Sequence, residues 1–168
     1  MPLTSESFWP WRLRPRVTAT DDVAVPAQDL YAALIRDRIS PALRAEGLIG
    51  SGGRYSLKSN THWALVSFQK SAYSDRREIQ FTINLCVVRK DEWNALRVEH
   101  PYYPEKPSGS TIYGCVMPTR IGSLVGDGSD KWWRVYHGQD VASVAANVLM
   151  NVRDAGLPWL HDQVVNSS

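Results

Sequence analysis

Cysteine is scarce in this chain: Cys86 and Cys115 are the only two among 168 residues, and they stand far apart. That excludes a disulfide framework and a Cys-x-x-Cys metal or redox pair. Each reads as a buried free thiol, a small apolar side chain. Long apolar runs are missing too. No window of about 18 apolar residues occurs, so no membrane insertion is expected. Trp9-Pro10-Trp11-Arg12 interrupts the N-terminus, so a secretory signal is not expected either, and the cytoplasm is the expected compartment. Charge of one sign is not in excess. The net charge of +2 is too small to name nucleic acid as a partner by itself. His62, His100, His137 and His161 never fall four residues apart, and there is no His-Glu-x-x-His. No Gly-x-Ser-x-Gly elbow is present. The glycines at 50, 52 and 53 follow a helical pattern rather than opening one, and they lack the Gly-Lys-Ser/Thr ending of a phosphate loop. No metal and no organic cofactor is therefore expected.

What is present is a strongly patterned centre. Residues 61–89 hold two alternating runs joined by a polar tip at 71–76. In the second run Ile79, Phe81, Ile83, Leu85 and Val87 point one way, and Glu78, Gln80, Thr82 and Asn84 the other. Strand side chains alternate with period two, so the run specifies one core face and one polar face. An exposed, uncharged, amide-rich sheet surface is the expected consequence.

Helical patterning flanks this centre. Leu30, Leu34, Ile35, Ile39 and Leu43 recur at three- and four-residue spacing, which predicts an amphipathic helix opened by Pro26, kinked or interrupted by Pro41 and stopped by Gly47. Gly50-Ser51-Gly52-Gly53 reads as a turn into a strand at 54–59. Residues 91–98 predict a short helix capped by Asp91. Residues 99–110 carry Pro101, Pro104 and Pro107 and predict a loop. Strands are predicted near 112–117, 121–125 and 131–136. Asp140 predicts the cap of a last helix with Val141, Val144, Val148, Leu149 and Val152 on its apolar face, ended by Gly156 and Pro158. Consecutive strands with hairpin-length links predict an α+β fold: one antiparallel sheet of five to six strands with helices packed on one face. The domain spans 27–168, preceded by an arm at 1–26. In that arm Trp11, Leu13 and Pro15 alternate with Arg12, Arg14 and Arg16. Trp9, Trp11, Arg12 and Arg14 mark it as a partner-docking segment, against the plainer reading of an edge strand packed on the body.

Ile39-Ser40-Pro41-Ala42-Leu43 with Gly47, Ser67-Phe68-Gln69-Lys70-Ser71, Phe81-Thr82-Ile83-Asn84-Leu85, Arg120-Ile121-Gly122, Asp130-Lys131-Trp132-Trp133 and Gly156-Leu157-Pro158-Trp159-Leu160 occur in this order. The set resembles the bacterial family called domain of unknown function 4304, over roughly residues 27–162. The resemblance implies a small single-domain protein and carries over no catalytic residues.

The candidate binding residues are Gln69, Gln80 and Asn84 on the polar sheet face, with Arg120, Trp132 and Trp133 at its rim. Amides recognise by hydrogen bonding but do not titrate, so they form a recogniser rather than a nucleophile. Adjacent strand tryptophans face opposite sides; one of the two belongs in the core. Arg120 alternatively pairs with a carboxylate. Tyr102 and Tyr103 stack on a nucleotide or lid the core. The leading expectation is a non-enzymatic binding module, an immunity-type or accessory protein with a protein partner. One alternative is a small hydrolase or nuclease built on Gln69, Asn84, Arg120 and His137; a thiol–imidazole pair of Cys115 and His137 on neighbouring strands is a separate candidate. Another is nucleic-acid binding through the arm and the tryptophan face.

Overall fold

The computed structural model describes residues 25–167 apart from Asp127. The arm candidates Trp9, Trp11, Arg12 and Arg14 lie outside these residues.

The first helical arm runs through α1 (Ala27–Ala33), a π-helical segment (Leu34–Ile39) and α2 (Ser40–Ala45). Pro41 sits in the first turn of α2. A proline in a helix has no N–H and its ring crowds the carbonyl four residues back. The wider π turn relieves that crowding, so the helix passes Pro41 without stopping. Six strands follow in one sheet: β1 (Leu48–Ser51), β2 (Arg54–Leu57), β3 (His62–Lys70), β4 (Glu78–Arg89), β5 (Thr119–Arg120) and β6 (Trp133–Tyr136). The order is β1-β2-β3-β4-β5, with β6 also on β4, and every pairing is antiparallel. The fold is α+β, as expected. Strand β1 was hidden by its glycines: only Gly52 and Gly53, with φ of 60° and 83°, form the two-residue hairpin turn, which needs positive φ at both positions.

The alternating row of β4 is the centre of the core. Ile79, Phe81, Ile83 and Leu85 are all fully buried. Leu34, Ile39 and Leu43 from the first arm and Val144 and Val148 from α4 (Val141–Asn151) join them in one cluster, with Leu149 partly buried beside it. Asp140 caps α4 as predicted, its carboxylate accepting the Ala142 N–H at 2.9 Å. The predicted stop at Gly156 and Pro158 is overturned. A second π segment (Val152–Gly156) carries the chain into α5 (Leu157–Asn166), with Pro158 in its first turn. The same relief operates at both prolines.

The opposite face of the sheet is covered over the second half of β4. Helix α3 (Lys90–Glu99) starts one residue before the predicted span, with Arg89 in the cap position. Asp91 instead lies in the first turn and accepts the Glu92 N–H. Trp93 of this helix packs with Cys86, Val88, Tyr113 and Val116 in a second cluster. Tyr103 stacks on Trp93 with ring centres 5.6 Å apart, so it lids a core; Tyr102 stays exposed. The strands predicted at 112–117 and 121–125 do not form. The first is a turn with one bridge, Tyr113 to Val116. The second is a 3-10 turn (Ile121–Leu124) that drops Ile121 into the core. Pro118 cannot donate to a ladder, and only Thr119 and Arg120 pair with β4. Of the two thiols, Cys86 is buried, and burial raises its pKa to about 11. Cys115 is exposed in the turn, against expectation.

Candidate functional site

The register of the sheet assembles the polar row. Ser67 lies opposite Asn84, Gln69 opposite Thr82, and Asn84 opposite Arg120. Three of the predicted residues, Gln69, Asn84 and Arg120, are thus neighbours across three strands.

They do not form an open amide surface. Asn84 is only 3% exposed and Thr82 is fully buried. Asn84 Nδ2 donates to Gln69 Oε1 at 2.7 Å and to Ser110 Oγ at 3.1 Å. Thr82 Oγ1 donates to the Lys131 carbonyl at 2.8 Å. Buried polar groups must be hydrogen-bonded to be tolerated. Here they satisfy one another by fastening two loops, around Ser110 and Lys131, onto the sheet. Gly109 fits beneath the first loop because a Cβ there would stand 2.4 Å from Ser67 Oγ. The expected exposed amide face is corrected on this ground: the amides hold the covering loops down.

What remains accessible is the rim beyond the second loop. Trp132 and Trp133 split as strand parity requires. Trp133 is buried, stacked on Phe81 at 5.8 Å, with Nε1 donating to Asn147 Oδ1. It is a core residue and leaves the site. Trp132 is 36% exposed. Its Nε1 donates to Asp130 Oδ2 at 2.8 Å, and the Arg120 guanidinium lies over its ring at 5.1 Å. Arg120 Nη1 stands 3.6 Å from Asp130 Oδ1. Arginine, carboxylate and indole thus form a triangle in which the indole is hydrogen-bonded to the carboxylate and Arg120 Nη1, buried, makes an ion-pair approach without a hydrogen bond.

The row continues along β6, where burial alternates. Trp133 and Val135 point to the core, and Arg134 and Tyr136 point out beside Trp132. Gln80 lies opposite Arg134. Its amide donates to Glu78 Oε1, which stands 3.7 Å from Arg134 Nε. Sequence reasoning missed Arg134 and Tyr136, although the alternation of 133–136 contains the signal. The constellation proposed for catalysis does not assemble. His137 follows Tyr136, whose β4 partner is Glu78; six residues of strand separate Glu78 from Asn84, roughly 20 Å. Cys115 sits in a turn rather than on a strand beside His137. Among the described residues no group of three or more His, Cys, Asp or Glu could hold a metal ion. No helix among them is long and apolar enough to cross a membrane.

A six-stranded α+β domain with one sheet face under helices, the other covered only in part, and an Arg–Asp–Trp rim at its open end is the class these observations define. The chain belongs to the family described as domain of unknown function (DUF4304), whose sequence model matches residues 39–162. No curated protein and no solved structure matches it. Within the matched span, the motif residues Ser67, Gln69, Thr82 and Asn84 sit in the network that fastens the loops, and Arg120, Asp130 and Trp132 make the triangle above it.

Proposed function

We propose that this chain is a non-enzymatic binding module, an accessory or immunity-type protein, that engages a protein partner through Arg120, Trp132, Arg134 and Tyr136. The observation that carries the reading is the presentation of Trp132. Its ring is exposed yet fixed by Asp130 and Arg120, so little side-chain freedom remains to be lost on association. Trp, Tyr and Arg are the residue types that most often dominate interface energetics. Arg120 and Arg134 each face a carboxylate, Asp130 and Glu78, so the rim is balanced in charge and its recognition rests on the indole, phenol and guanidinium groups. Two unpaired thiols suit a reducing compartment, the cytoplasm. Gln69 and Asn84 support the surface from below rather than touching the partner.

Affinity purification from the native host tests this. One protein is expected to co-elute stoichiometrically with the tagged chain and to survive nuclease treatment. Trp132→Ala should reduce its retention about tenfold or more without altering the far-UV circular dichroism. Elution of nucleic acid alone, or equal retention by Trp132→Ala, contradicts the reading.

A further inference from the structure

A second concave site lies on the helix side of the sheet, away from Trp132. The first helical arm, the β1–β2 hairpin and the end of β3 border an open cavity of about 420 Å³. Its size suits a small-molecule site. Tyr31, Ala32 and Ile35 form an apolar wall. Arg36, Arg44 and Lys70 supply three cations, and no carboxylate lines the cavity. Arg36 is already bound by Asp37 at 2.6 Å. Arg44 is held differently: its Nε and Nη2 both donate to the Gly50 carbonyl, at 3.1 and 2.9 Å. That fixes the guanidinium without neutralising it. Lys70 places its ammonium 5.8 Å from the centre of the Tyr31 ring. Neither Arg44 nor Lys70 has a carboxylate partner among the described residues. Burial pushes the Tyr31 phenol up, so it stays neutral and offsets none of this positive charge.

The backbone supplies an independent argument. Gln28, Ala32, Arg36, Ser40 and Arg44 all line the cavity, at a strict spacing of four. In an ideal α-helix residues four apart precess by about 40°, so Gln28 and Arg44 would be turned about 160° from each other. The π segment at 34–39 takes up much of that drift, because its turn holds more residues. The unusual segment thus aims both arginines and Gln28 at one space.

From these observations we infer that the cavity binds a small organic anion, a phosphate or carboxylate carried on a planar ring. The anion meets Arg44 and Lys70, and the ring lies along Tyr31 and Ile35. The site is separate from the rim, so its success or failure does not depend on the protein partner.

Titration of the ¹⁵N-labelled full chain with AMP, benzoate, adenosine and inorganic phosphate tests this. AMP or benzoate is expected to move the amides of Tyr31, Ala32, Arg36 and Gly52 saturably. Either one alone supports the site and assigns its anion. Adenosine and inorganic phosphate should bind at least about tenfold more weakly, since each lacks half of the recognised group. Lys70→Glu should weaken the active probe about tenfold or more, with Lys70→Gln in between and serving as the test if the reversal disturbs folding. The inference is overturned if neither anion moves these amides, if adenosine matches AMP, or if both Lys70 variants bind as the parent does.

Discussion

Phe81→Ala should be the most damaging of the single truncations in the sheet, lowering the unfolding free energy by about 3–5 kcal/mol. Phe81 is fully buried in the first half of β4. Its ring meets Tyr31 edge-on at 5.1 Å, Phe68 at 6.0 Å and Trp133 at 5.8 Å. These partners come from the first helix, β3 and β6, so no single element can relax into the space left behind. Domains of this kind are stable by only about 5–15 kcal/mol in total. Chemical denaturation should therefore show a much lower midpoint with an unchanged slope. A loss below about 1 kcal/mol would mean the three rings do not depend on Phe81, and the core assignment would fail.

Gly122→Ala should be nearly as severe, and for a different reason. Gly122 has no left-handed backbone requirement; its constraint is space. A Cβ there would fall 2.3 Å from the Ser129 carbonyl oxygen and 2.5 Å from the Lys131 nitrogen. Both are backbone atoms, so no side chain can swing away. The segment must move, and the Thr82 Oγ1 bond to the Lys131 carbonyl goes with it. Overpacking together with a stranded buried hydroxyl costs about 2–5 kcal/mol. The same shift displaces Trp132, so partner binding should fall along with stability. Its indole N–H resonance should also lose the shift imposed by Asp130. An unchanged melting temperature and an unchanged indole signal would show that the segment is not seated on Gly122.

The parts of this architecture that follow local rules were readable in advance. The period-two row of β4 and the Asp140 cap needed only their own residues. The parts set by contacts distant in sequence were not. Thr82 and Asn84 read as an exposed polar row because nothing near them announces that Ser110 and Lys131 close over it. The covering segment at 99–118 has prolines and aromatics but no period, so its packing on Cys86 and Val88 left no trace in the pattern. Pro41 and Pro158 read as helix breaks because a compensating π turn has no sequence signature of its own. Arg120 was identified as a candidate, but its seat opposite Asn84 rests on a two-residue strand too short to detect. The choice between Trp132 and Trp133 was correctly posed as one of parity. It is decided by Phe81 and Asn147, which claim Trp133 for the core.

We propose the Arg120–Asp130–Trp132 triangle as a recognition surface and not part of the scaffold. A half-exposed ion pair at 3.6 Å contributes at most about 1 kcal/mol to folding, or about 2–4 °C in a chain of this size. The direct measurement is the affinity of Arg120→Ala for the co-purified partner by calorimetry, paired with its melting temperature. The predicted result is an affinity lowered about tenfold or more with a melting temperature within about 4 °C of the parent. Unchanged affinity, or a loss of affinity that merely follows a large fall in melting temperature, would contradict it and make Arg120 a structural residue.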